Sequence, residues 1–255
     1  MIYFYNKKLR LIYLILVFLS LNIFFSNCSG NSASEESSSN ISNSDNQFKS
    51  CIAAKDSQLA SPQTIDQLVQ LINVLPKPVN LSCLITALKK PLNVFAVNNT
   101  FSAQPAVGIN NPRIFIMNGN FIMSVVPAGI GMTLLEVSQI ISQSASTKGE
   151  IQFPVADILP TDAPYTKILE SKGETTGGTS CRTCHQGEIR NLNINTGTAY
   201  NNELIKPDPF KRVTQPYMKT QAQNCNSQLN AHRCDLLKAI YIDGQAQDAD
   251  FPDGP

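Results

Sequence analysis

Histidine is nearly missing from these 255 residues, with two in all, His185 and His232. The β-prone middle of the chain, 93–155, has none, and it also lacks a close Asp/Glu pair and a glycine-rich phosphate loop. That stretch therefore offers no hydrolytic or phosphoryl-transfer machinery, and reads as scaffold or as a partner-binding surface. An excess of either charge is lacking too. Lys and Arg number 20 against 19 Asp and Glu, and setting aside residues 1–27, which hold three bases and no acid, leaves 17 against 19. Nothing in that balance argues for nucleic acid.

A basic start, with Lys7, Lys8 and Arg10, precedes an apolar run over 11–25. The run falls short of the ~20 residues of a membrane span and reads as the core of a secretory signal, residues 1–27. An uncleaved anchor would need the helix to begin before the lysines. Cys28 follows, then a Ser- and Asn-rich tract to residue 47. A cysteine in that place resembles the lipobox of bacterial lipoproteins, with Phe25 and Asn27 departing from the usual pattern. The resemblance implies lipidation of Cys28, a membrane anchor and a location at the cell envelope, on the periplasmic side or the outer surface. Residues 28–47 bury too little to order themselves and would act as a tether.

Seven cysteines stand at 28, 51, 83, 181, 184, 225 and 234. Cys181-Arg182-Thr183-Cys184-His185 is the C-x-x-C-H attachment signature of c-type haem: each thiol adds to a vinyl group, and His185 lies under the ring as proximal iron ligand. The motif occurs once, which excludes multihaem wires and dihaem peroxidases. Two other chemistries compete for the pair. Zinc would need Cys181, Cys184, Cys225 and Cys234 together, and a thioredoxin-like pair would need its first cysteine at the start of a long helix after a strand. With Cys28 lipidated and the motif on haem, four cysteines remain, which allows three pairings. Cys51 with Cys83 and Cys225 with Cys234 are nearest in sequence and are expected to bridge.

These five residues resemble those of c-type cytochromes, and the resemblance extends little further. It implies one covalent haem c and single-electron transfer with a redox partner protein. The sixth iron ligand would be Met218, or alternatively His232; an open position would instead admit O₂, NO or CO. No catalytic acid, base or nucleophile is visible, so no enzyme is expected. A haem-based sensor or gas-binding module, or a non-haem lipoprotein interaction domain, are the other readings.

The expected class is α+β. Helices over 61–75, capped by Ser61 with Pro62 in the first turn, and over 82–90 precede an antiparallel meander with strands at 93–98, 113–117, 120–126, 132–137 and 150–155. Asn118-Gly119 signals a hairpin. Met117, Met123 and Met132 read as core filler, and Arg113 as a solvated strand end. Residues 48–155 would form this helix and β region. Residues 156–255 would form a mainly α or irregular, cytochrome c-like haem region. Within it, 191–202 has low order, and a last helix capped by Ser227 or Asn230 carries Leu229, Leu236, Leu237, Ile240 and Tyr241. Gly244 closes that helix and a solvated acidic tail follows.

Overall fold

The computed structural model describes residue 51 and residues 58–100, 102, 104–170 and 178–255. The signal segment, the lipidation site Cys28 and the tether lie outside the described residues. Helix α1, Ile65–Val74, turns Ile65, Leu68, Leu71 and Ile72 into the core. Thr64 caps it by accepting from the Gln67 amide at 3.2 Å. Ser61, the expected cap, is taken up elsewhere: Asn118 Nδ2 donates to its hydroxyl at 3.0 Å and to the Pro62 carbonyl at 2.9 Å. Helix α2, Leu81–Ala87, is buried along its whole length and capped by Asn80, which accepts from Cys83 N at 2.7 Å. The expected disulfide Cys51–Cys83 ties its first turn to the chain before α1.

The strands are β1 Asn93–Val97, β2 Asn99–Thr100, β3 Ala106–Val107, β4 Arg113–Asn118, β5 Phe121–Val125, β6 Leu134–Ser142, β7 Ala145–Gln152, β8 Ile189–Arg190, β9 Tyr200–Glu203 and β10 Gln247–Asp248. Eight of them form one sheet in the order β10-β1-β4-β5-β6-β7-β9-β8, antiparallel except for β1 with β10, while β2 and β3 pair separately. Gly119, with φ +57°, makes the tight turn between β4 and β5, a backbone angle that favours glycine. The fold is α+β.

Sheet and core both cross position 155, so 48–155 and 156–255 do not have separate cores. The second segment supplies β8, β9 and β10 together with α3 Ala163–Glu170, α4 Gln215–Gln223 and α5 Ala231–Tyr241. One apolar cluster joins Ile72 and Leu84 to Ile116 and Leu135 and to Met218, Leu237 and Ile240. Asn230 caps α5, and the expected disulfide Cys225–Cys234 closes the loop that enters it. Leu229, expected on the buried face, precedes that cap and is exposed.

The opposite sheet face carries a smaller cluster: Phe95, Val97, Phe115, Met117, Ile122 and Ile140. The tail covers one end of it through Phe251, while its acids are solvated as expected, with the Asp250 and Asp253 side chains 97 % and 92 % exposed. Phe251 meets the rings of Phe95 and Phe115 edge-on, at 6.5 and 5.5 Å between centroids, and Arg212 pairs with Asp248 at 3.1 Å and with Asp250 at 3.3 Å. The aromatic contact anchors the tail, and the ion pairs of its exposed aspartates add little to it.

Candidate functional site

Cys181 sits in a single 3₁₀ turn, Ser180–Thr183, whose C-cap is Cys184, and not on a long helix. Thr179 caps the turn by accepting from the Cys181 amide at 3.2 Å, while its own amide donates to Glu188 Oε2 at 2.7 Å. The Cys181 carbonyl then accepts from the amides of Cys184 at 3.1 Å and His185 at 2.8 Å. This fold-back places both thiols and the imidazole around one short loop. Cys181 and Cys184 are the unpaired cysteines among the described residues, and each is half-buried.

His185 is aimed by β9. Its Nδ1 lies 2.8 Å from the Glu203 carbonyl. A carbonyl only accepts, so Nδ1 carries the proton and Nε2 keeps the lone pair, the arrangement of an imidazole held ready as a metal ligand. Burial, and then Lys148, hold its pKa below the usual histidine range, which favours the neutral form. Burial pushes the Cys181 thiol up to about 11. That places it far from the low-pKa thiolates used for disulfide exchange.

The residues 191–202, expected to have low order, build this support. Asn191 Nδ2 donates to Thr147 Oγ1 and to Asn201 Oδ1, both at 3.1 Å, and Thr147 Oγ1 donates to Asn201 Oδ1 at 2.7 Å. A short strand held by amide side chains has no hydrophobic period, so its pattern was invisible.

The motif faces a cleft of about 310 Å³ over the second face of the sheet, within the usual size for small-molecule sites. Phe115, Ile122, Ile168, Leu204 and Phe251 give it apolar walls, with Arg113, Glu136, Lys148 and Glu150 among its lining. The register explains why these four converge: Phe115, Ser124, Glu136 and Glu150 stand directly opposite one another across β4 to β7, and Ser138 stands opposite Lys148. Side chains two apart on a strand share a face, so residues far apart in sequence form one polar floor.

That floor corrects the expectation that the β region holds no titratable cluster. Arg113 is not a solvated strand end. It is 7 % exposed, donates to Ser124 Oγ at 2.8 Å, and forms close contacts with Glu136 and with Ser102. Its Nε and Glu136 Oε1 are buried without partners among the described residues. Lys148 donates to Ser138 Oγ at 3.1 Å, and burial pushes its pKa down to about 8. Glu150 is 8 % exposed, and burial, with Glu136 next, pushes its pKa up.

The two expected sixth ligands lie elsewhere. Met218 is wholly buried in the helical core, and His232 places its Nε2 2.8 Å from the Met132 carbonyl. Among the described residues the cleft lining holds no methionine and no histidine besides His185. Cys225 and Cys234 are bonded to each other, which removes the four-cysteine zinc arrangement. No group of three or more His, Cys, Asp or Glu able to hold a metal ion stands together among the described residues. None of the described helices is long and apolar enough to cross a membrane.

Comparison with family models, with curated proteins and with solved structures finds no match to this chain.

Proposed function

We propose that this chain is an envelope protein tethered by lipid at Cys28, which carries one haem c on Cys181 and Cys184 and passes single electrons to a partner protein. The observation that carries the reading is His185: its Nδ1 is committed to the Glu203 carbonyl, beside two unpaired thiols and an apolar-walled cleft. This donor set fits a porphyrin iron, which needs one protein nitrogen on its proximal side and takes four donors from the macrocycle. When bound, the group supplies a one-electron iron couple. The protein's part is to fix the imidazole, exclude water with Phe115, Ile168 and Phe251, and surround the centre with the charges of the floor.

A second reading, a gas-binding or sensing module, draws on the cleft lining, which offers no Met218 or His232 to the far side of the iron. Two spectra separate these outcomes in protein matured where c-type haem is attached. A reduced-minus-oxidised haem spectrum that survives acid-acetone extraction is expected, and loss of all haem on extraction would refute covalent attachment. If CO then shifts the spectrum of the reduced protein, the sixth position is open and the gas-binding reading prevails. An unchanged spectrum favours the electron carrier.

A further inference from the structure

From Pro91 to Leu135 the chain carries one charged residue, Arg113, and that one is buried. The surface this stretch presents is therefore uncharged, and two of its loops end in the same way. Gly108-Ile109, just beyond β3, and Gly129-Ile130, between β5 and β6, each place a glycine at positive φ, +74° and +82°, before an exposed isoleucine. Val107 is exposed beside the first tip, and Ile130 on the second is 75 % exposed. The two loops are stitched together: Asn111 Nδ2 donates to the Ala128 carbonyl at 2.7 Å, and the Ala128 amide donates back to Asn111 Oδ1 at 3.0 Å. A third tip is tied to the first. The Gly108 amide donates to the Asn98 carbonyl at 3.1 Å, and the Asn98 amide donates to the Lys211 carbonyl at 2.9 Å. That second bond seats the 3₁₀ turn Pro209–Lys211, on which Phe210 is 93 % exposed. Helix α5 braces the loops from behind, with Arg233 Nη2 donating to the Asn110 carbonyl at 2.7 Å. Apolar side chains held outward on pinned loops mark a surface that meets something other than water.

We propose that these three tips are a membrane-docking face: Ile109, Ile130 and Phe210, with Val107, enter the acyl-chain boundary of the bilayer that holds the lipid on Cys28. The inference rests on the lipid-anchor reading, which supplies the occupant. A Ser- and Asn-rich segment the length of 28–47 has an r.m.s. span of about 25 Å, so an anchor at Cys28 keeps the domain close to one bilayer. The shape of the face favours lipid over a partner protein. Four side chains on separate narrow tips offer far less than the ~800 Å² that each partner contributes to a standard protein interface. They do suit the few ångströms of penetration of an interfacial contact, with Lys211 beside Phe210 placed to reach the headgroups. Docking fixes which side of the domain faces the bilayer, which an anchor at one residue does not do.

The sequence has no tryptophan, so a single one is a clean probe. Ile130→Trp and Phe210→Trp report on two tips, and Leu192→Trp, at an exposed site just past the edge strand β8, is the control. Each full chain, made without haem maturation factors, is mixed with an excess of phosphatidylcholine vesicles whose acyl chains carry bromine, which quenches fluorescence that reaches the hydrocarbon. Emission from both tip variants should shift to the blue and fall about twofold against unbrominated vesicles, while Leu192→Trp stays unchanged. Equal quenching at all three sites, or tips that stay in water, would overturn the proposal, and tips in water on a vesicle-bound chain would point to a protein as the occupant. The anchor is read separately, from the intact mass of the mature wild-type chain. A mass without lipid on Cys28 would refute the anchor, and quenching at lipid excess would still decide the tips.

Discussion

The floor of the cleft is where single residues should show their effect. Arg113 and Glu136 form a largely buried pair, and removing one member strands the other. Arg113→Met should therefore destabilise by about 3–5 kcal/mol. Adding Glu136→Gln should recover part of that loss, a coupling that a double-mutant cycle read by urea denaturation would register. Glu150 and Lys148 predict opposite responses to pH. Burial raises the Glu150 pKa, so its contribution is fully present below the unfolded value of ~4.3 and is lost as pH climbs through the folded value. Glu150→Gln should thus raise the urea midpoint at pH 7 and lose that advantage near pH 4. For Lys148 the folded pKa is about 8, below the ~10.4 of an unfolded lysine, so the unfolded chain binds more protons between them and stability rises with pH across that window. Lys148→Met should flatten that rise.

Among the elements, the strongest helices and the hairpin were legible. The repeat of Ile65, Leu68 and Ile72, and Asn118-Gly119, carry their own periodicity and turn chemistry. The strand β7 was half missed, because 145–149 reads Ala-Ser-Thr-Lys-Gly and its cleft-facing side is polar. A polar face on a buried strand is the mark of a site, and it hides the strand from a search for apolar alternation. Helix α4, whose sequence reads Gln-Pro-Tyr-Met-Lys-Thr-Gln-Ala-Gln, buries only Met218 and Ala222, and so few buried positions give no clear stripe. Gly244 illustrates an element-scale constraint. A Cβ there would lie 2.1 Å from the Ile240 carbonyl oxygen and 2.7 Å from Leu92 Cδ1. Gly244→Ala should cost at least about 1–3 kcal/mol, seen as a lower denaturation midpoint.

For the whole molecule, two disulfides pin helices on the core side of the sheet, while the motif and its cleft lie on the other. The pairings followed from nearness in sequence because each bridge closes a local loop, spanning 32 residues for Cys51–Cys83 and 9 for Cys225–Cys234. Loop-closure entropy makes these worth about 3.7 and about 2.6 kcal/mol. Replacing both members of the first by serine should therefore cost about 1 kcal/mol more than replacing the second, a difference that thermal unfolding of the two variants can check. The pairing across position 155 was not legible for a global reason: β8, β9 and β10 complete a sheet begun more than fifty residues earlier, and such pairings leave no local trace. The motif itself needed no fold to be seen, since its chemistry is contiguous. Its cleft was invisible because Arg113, Glu136, Lys148 and Glu150 converge only through register.

The central claim is that Cys181 and Cys184 hold a haem covalently with His185 beneath it. The intact mass of the purified chain, measured after expression with and without c-type haem maturation factors, tests it most directly. The account predicts a gain equal to one haem, present only with those factors and lost in Cys181→Ala/Cys184→Ala. An unchanged mass in a folded, mature wild-type chain would contradict it.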